Sequence, residues 1–168
     1  GKGAEPVPKL AGKTLKSYHL ETDLIFLKKS DVSKANKHFR DDVSLNGKTG
    51  GGRKPGLTYI ISTIERVTGL TRLNWIKTKQ AEKVSPIVVR QMKSIAKALK
   101  TPLKQFDLSS DKGGEFSVKE MKKVVPDTYT VATGSSVEAR NRMVQQAFFR
   151  IIKNRRATTI REALRQSE

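Results

Sequence analysis

The sequence contains no cysteine. That absence excludes a disulfide framework, a thiolate zinc site and a cysteine nucleophile. Histidine occurs twice, at His19 and His38, without His-x-x-His or His-Glu-x-x-His spacing, so no zinc-hydrolase motif is present. Aromatic residues make up 6% of the chain, with Trp75 the single tryptophan, whereas surfaces that stack unpaired bases usually carry several rings. No apolar run approaches the roughly 18 residues of a membrane span, and the first residues, GKGAEPVPKLAGK, hold no hydrophobic signal core. Acidic residues are also scarce: 16 Asp and Glu face 34 Lys and Arg, a formal charge of +18.

That imbalance is the strongest statement the sequence makes. A net magnitude of about 2–8 suffices to keep a small domain in solution, and the excess costs self-repulsion until a polyanion relieves it. Nucleic acid is the first such partner and an anionic membrane surface the second.

Residues 1–13 read as a flexible basic arm, and 14–168 as a single domain. Within 14–27 a strand is favoured by aromatic and β-compatible residues, although Leu20, Leu24 and Leu27 also fit one helical face. Residues 30–42 read as a short helix capped by Ser30. The clearest break is the Gly/Lys-rich loop 45–56, which holds Gly47-Lys48-Thr49. A phosphate loop needs another glycine five residues before that Gly-Lys, and position 42 is Asp, so a nucleoside-triphosphate site is excluded. A loop able to approach phosphates through Lys48, Arg53 and Lys54 remains.

The stretch 57–107 reads as a central basic helical core, with helices at about 57–68, 71–83 and 86–100, the last begun by Ser85-Pro86. Ser117 and Glu120, Ser135 and Glu138, and Thr159 and Glu162 have capping spacing, predicting helices over 117–125, 136–156 and 160–166. Residues 127–134 form either a loop or a short strand paired with 14–27. The fold expected is therefore mainly α, a compact bundle of five or six helices, with a small two-stranded β element if those segments pair.

Two helices carry cations opposite their apolar faces: Arg90, Lys93, Lys97 and Lys100 on one, Arg142, Arg150 and Lys153 on the other. No acidic residue lies between Glu82 and Asp107, whereas solvated helix faces mix signs. These residues, with Lys48, Arg53, Lys54, Arg72, Lys79, Arg155 and Arg156, are the candidate nucleic-acid contacts, and 136–168 forms an Arg-rich C-terminal group. Trp75 and Phe149 fall beside such cations, where they either stack on an unpaired base or pack against another helix or subunit. The segment 108–135 has 4 basic and 4 acidic residues, and suits contact with other protein, including self-association.

Residues 63–69 followed by 70–79 resemble the helix–glycine turn–helix of Cro/repressor-type DNA-binding domains. The resemblance covers about 60–106. It implies that Thr71, Arg72 and Asn74 meet base edges, and that Ser85-Pro86 with 95–99 belongs to the closing helix. The glycine-rich loop stands where that family has its first helix.

Glu21 with Asp23, and Asp41 with Asp42, are the pairs that could hold magnesium for a nuclease. Solvated turns and a helix end account for them, and no catalytic, metal or cofactor site is expected. The function expected is non-enzymatic: nucleic-acid binding through the phosphate backbone as a structural subunit of a nucleoprotein assembly, such as a nucleocapsid or ribonucleoprotein component. The alternative is a helix-turn-helix regulator. Neither takes a small-molecule substrate. Location in a virion or an intracellular nucleoprotein particle would follow.

Overall fold

Residues 59–65 read YIISTIE, dense in β-branched side chains that lose rotamer freedom against a helical turn and sit well on a pleated surface. They form a strand, as do residues 71–76. The computed structural model describes residues 9–10, 13–14, 16, 18–28, 30–31, 34, 37, 59–76, 78–110, 116–130, 135–157 and 159–168. β1 (Lys9–Leu10) and β2 (Lys13–Thr14) form a small antiparallel pair. β3 (Tyr18–Phe26) pairs antiparallel with β4 (Tyr59–Glu65), which pairs antiparallel with β5 (Thr71–Ile76). On its other side β3 pairs in parallel with β6 (Phe106–Ser110), and β6 in parallel with β7 (Asp127–Thr130). The result is a five-stranded mixed sheet in the order β5-β4-β3-β6-β7.

The expected mainly helical bundle is thus corrected to a mixed α/β fold. The helix-turn-helix is corrected with it. Gly69 does make the turn, at φ +75°, but it joins two strands, with Ile64 opposite Thr71. Residues 127–130 are a strand, paired with β6 rather than with β3.

The helices are α1 (Ala81–Ala98), α2 (Val118–Lys122), α3 (Ser135–Lys153) and α4 (Ile160–Ser167). Residues 30, 31, 34 and 37 are also helical. Ser117 and Thr159 cap α2 and α4, accepting the amides of Glu120 and Glu162 at 3.4 and 3.0 Å. α1 begins at Ala81, so Pro86 lies inside it, and Ser85 is buried and accepts the Ser117 amide instead of capping. The loop 45–56 lies outside the described residues.

Period-two alternation divides the core between the two sheet faces. Leu20, Leu24, Ile61, Phe106 and Leu108 pack against Val84, Val88, Met92 and Ile95 of α1 and Met121 of α2. Ile25, Ile60 and Leu73 pack against Val144, Phe148 and Ile152 of α3 and Ile160, Ala163 and Leu164 of α4. Phe148 is fully buried, and truncating such a ring costs about 3–5 kcal/mol. The sheet therefore sits between two helical layers, and β3 is its middle strand. Among the described residues no helix is long and apolar enough to cross a membrane.

Candidate active site

Alternation along β3 puts Ile25, Asp23, Glu21 and His19 on the face that α3 covers. Ile25 is core, and the three residues before it on that face are polar. Asp23 lies opposite Ser62 of β4. Its carboxylate is held at both oxygens: Leu24 N–H donates to Oδ1 at 2.8 Å, and Asn141 Nδ2 of α3 donates to Oδ2 at 2.7 Å. One turn further along α3, Gln145 donates to the Phe26 carbonyl at 3.1 Å. Asn141 and Gln145, four residues apart on one helical face, thus clamp α3 across the end of β3. Glu138, three residues before Asn141, is exposed on the same side. With Arg142 it lines a depression of about 200 Å³ against Leu24, Ile25 and Phe26.

The neighbouring titratable groups are strongly conditioned by burial. Burial raises the Glu21 carboxyl, while Arg66 (3.9 Å) and Arg140 pull it back and Glu65 adds to the rise. His19 is held down to about 4 by burial and by Arg66, against the opposing charge of Glu65. Its Nε2 lies 3.1 Å from Ser109 Oγ. Asp107, opposite His19 in the parallel register, is raised by burial and by Asp127, against the Lys16 backbone amide that donates to it. Asn141 Oδ1, Ser62 Oγ and His19 Nδ1 are buried without hydrogen-bond partners. Unsatisfied polar atoms are rare in interiors. Asn141 is the bonded partner of Asp23 and Ser62 its cross-strand neighbour, so two of these atoms belong to residues that flank the same carboxylate.

Among the described residues, no group of three or more His, Cys, Asp or Glu side chains could hold a metal ion by itself. Asp111 directly follows Ser110 in the sequence and lies outside the described residues.

The architecture matches that of integrase catalytic cores. One solved structure is that of the HTLV-2 integrase catalytic core domain in complex with magnesium, in its trimeric form. It superposes with a TM-score of 0.56 at 11% identity, covering 91% of this chain and 83% of that one. The dimeric form of the same domain gives a TM-score of 0.55 at 11% identity, over 91% and 84% of the two chains. At that identity the likeness is one of fold. No protein-family model matches the chain, and no curated protein matches it in sequence. The solved neighbours are catalytic cores, a finding that counts against the expectation of a non-enzymatic protein, which rested on missing sequence motifs.

The candidate contacts read from the sequence fall in several places. Lys48, Arg53 and Lys54 lie outside the described residues. Arg90, Lys93, Lys97 and Lys100 are exposed on α1 or just after it, Arg142, Arg150 and Lys153 are exposed on α3, and Arg155 and Arg156 are exposed beyond it. Of these, Arg142 lies beside the Asp23 clamp. Arg72 of β5 donates to Ser94 Oγ at 2.8 Å and to the Thr71 carbonyl at 2.9 Å. The Lys79 ammonium stands 5.8 Å from the Phe26 ring centroid. Trp75 and Phe149 are half-buried against the α3–α4 core. Sequence reasoning did not bring Asp23, Glu138 and Asn141 together. The available signal was the alternation His19-x-Glu21-x-Asp23 running into the apolar 24–27, which puts carboxylates on a strand face where core residues are expected.

Proposed function

We propose that this chain is a metal-dependent polynucleotidyl transferase or nuclease acting on a nucleic-acid phosphodiester, with DNA as its first substrate. The observation that carries this reading is the oriented Asp23 carboxylate on the central strand, clamped by Asn141 with Glu138 one helical turn away. The charge of +18 and the fold shared with integrase catalytic cores support a nucleic-acid partner. The dimeric and trimeric forms of the HTLV-2 domain support self-association. A place in a larger nucleoprotein particle is compatible with this chemistry, and what carries over from that expectation is the partner class.

The donor set fits magnesium. Asp23, Glu138 and the Asn141 carbonyl are hard oxygen ligands, and Asn141 Oδ1 is buried with its acceptor capacity unused. Bound there, the ion would supply an acidified water and neutralise charge on phosphoryl oxygens. The protein's own share is positional. Leu24 N–H and Asn141 fix the Asp23 carboxylate plane, Arg142 offers an exposed guanidinium for a neighbouring phosphate, and Glu138 supplies a second carboxylate at the rim. Asp111, which follows Ser110 in the sequence, is a third carboxylate to test.

The experiment compares Asp23→Asn, Glu138→Gln and Asp111→Asn with the unaltered chain in DNA-strand cleavage and transfer assays with magnesium. The expected result for Asp23→Asn and Glu138→Gln is loss of product formation by about 10²-fold or more, with DNA affinity and thermal melting retained. Undiminished product formation by Asp23→Asn would refute the reading.

A further inference from the structure

We infer that the cavity at the free edge of β5 is a second site, binding phosphate groups of a nucleic-acid strand, separate from the Asp23 clamp. The class of partner rests on the proposed function, whereas the cavity stands on its own geometry. It has a volume of about 670 Å³ and opens between β5, α1 and α4. Each of these elements contributes a pair of polar side chains at the spacing that aims them together, and α1 adds Gln91. The pairs are Arg72 and Asn74, two apart on the strand, and Arg90 with Ser94 and Arg161 with Arg165, each four apart on a helix.

Four guanidiniums therefore face one carboxylate, that of Glu168. Among the described residues, Arg90 and Arg161 have no carboxylate partner. Like charges held around a concave site repel one another until an anion enters. Glu168 already plays that part in miniature. Its Oε2 accepts the Leu73 N–H at 2.8 Å, an edge-strand donor left over by the sheet. Arg72 and Arg165 oppose the upward pull of burial on its carboxyl.

Phosphate suits the cavity better than the carboxylates of an acidic peptide. Planar guanidinium forks meet phosphate oxygens in pairs, and a volume of this size accommodates a nucleotide-sized group. Trp75 lines the same cavity, an aromatic surface of the kind that stacks on a sugar or base and that an acidic peptide has no need of.

The test uses the full chain and a fluorescein-labelled DNA duplex, titrated over a range of salt, with sodium pyrophosphate as competitor. Arg161→Gln combined with Arg165→Gln is expected to weaken duplex binding by about tenfold or more and to lower the salt slope by about two. Arg90→Gln, at an exposed position, should weaken it about threefold. Glu168→Gln, which keeps the acceptor for Leu73 and removes the like charge, should tighten it. Pyrophosphate should compete with the duplex on the unaltered chain and lose that effect in the double variant. The titrations are run without magnesium and read duplex affinity alone, whereas the catalytic reading is scored by product formation, so failure of the catalytic reading and failure of this one give different results. The inference is overturned if the double variant melts like the unaltered chain and keeps its affinity and slope. If the double variant melts lower, Arg90→Gln with unchanged affinity overturns it. It is overturned equally if pyrophosphate binds without weakening duplex binding, or if the double substitution alters sedimentation but not DNA affinity, which would make the cavity a subunit contact.

Discussion

Asn141 donates its side-chain amide to Asp23 at 2.7 Å, tying the middle strand to a helix 118 residues away in sequence. An aliphatic residue at this position removes the Oδ2 donor from a partly buried carboxylate. Asn141→Leu is expected to cost about 1–3 kcal/mol in urea denaturation. It should lower strand cleavage about 10- to 100-fold, the range seen when a residue that orients a metal-binding side chain is lost. Unchanged cleavage alongside reduced stability would make the bond purely architectural.

Gln91 is the buried polar link between α1 and the sheet. It accepts from Thr63 Oγ1 at 2.7 Å and donates to the Ile61 carbonyl at 3.0 Å and to Asn74 Oδ1 at 2.9 Å. Gln91→Leu keeps the volume but strands these groups. A loss of about 2–4 kcal/mol is expected, read as a lowered denaturation midpoint with an unchanged m-value.

The turn after β4 is built on Glu65, whose side chain is fully buried. It accepts from His19 N–H, Val67 N–H, Thr68 N–H and the Thr68 hydroxyl at 2.8–3.0 Å. Glu65→Ala abandons these donors and should cost about 3 kcal/mol or more. Gly69→Ala meets no neighbouring atom within 4 Å, but its φ of +75° disfavours a side chain, and about 1 kcal/mol is expected. Thermal melts of the two variants should rank in that order.

Stability should fall with acid through His19. The unfolded chain binds its proton near 6.5, whereas the folded chain refuses it until about 4. Between those values the unfolded state holds more protons, so stability drops as pH falls, by up to about 3 kcal/mol. Glu21 and Asp107, whose carboxyls burial raises, act in the opposite sense from the ordinary carboxylate range upward. The contribution of His19 is therefore read as a difference. Between pH 4.5 and 7, His19→Gln should show a flatter stability profile than the unaltered chain.

Helix ends were legible in the sequence where a side chain caps locally: Ser117 and Thr159 satisfy their own helices. The central hairpin was not. Ile60, Ile64 and Val67 fall at helical spacing, yet Ile60 and Ile64 lie on one face of β4, four residues being two strand periods as well as close to one helical turn. The density of β-branched residues in 60–64 was the better guide, because only the sheet gives both faces of β4 something to cover. The Asp23–Asn141 contact was invisible for a different reason. Asn141 is not unusual in its own window, and its meeting with Asp23 depends on α3 crossing that face of the sheet. Ser85-Pro86 suggested a helix start by local rule, but packing extends α1 back to Ala81.

β3 also divides the chain by how quickly its two edges can be zipped. Its antiparallel side belongs to a meander whose β4–β5 hairpin closes over a short turn. Its parallel side joins His19 to Ser109 across 90 residues. Contacts so far apart must wait for a large loop to close, and folding slows as they come to dominate. The meander is therefore expected to form the folding nucleus, with the β6–β7 half docking later. Ile61→Val should chiefly slow refolding, and Leu108→Ala should chiefly hasten unfolding in stopped-flow chevrons. On that order of events, the strand that carries Asp23 is in place before the chain that completes its surroundings arrives.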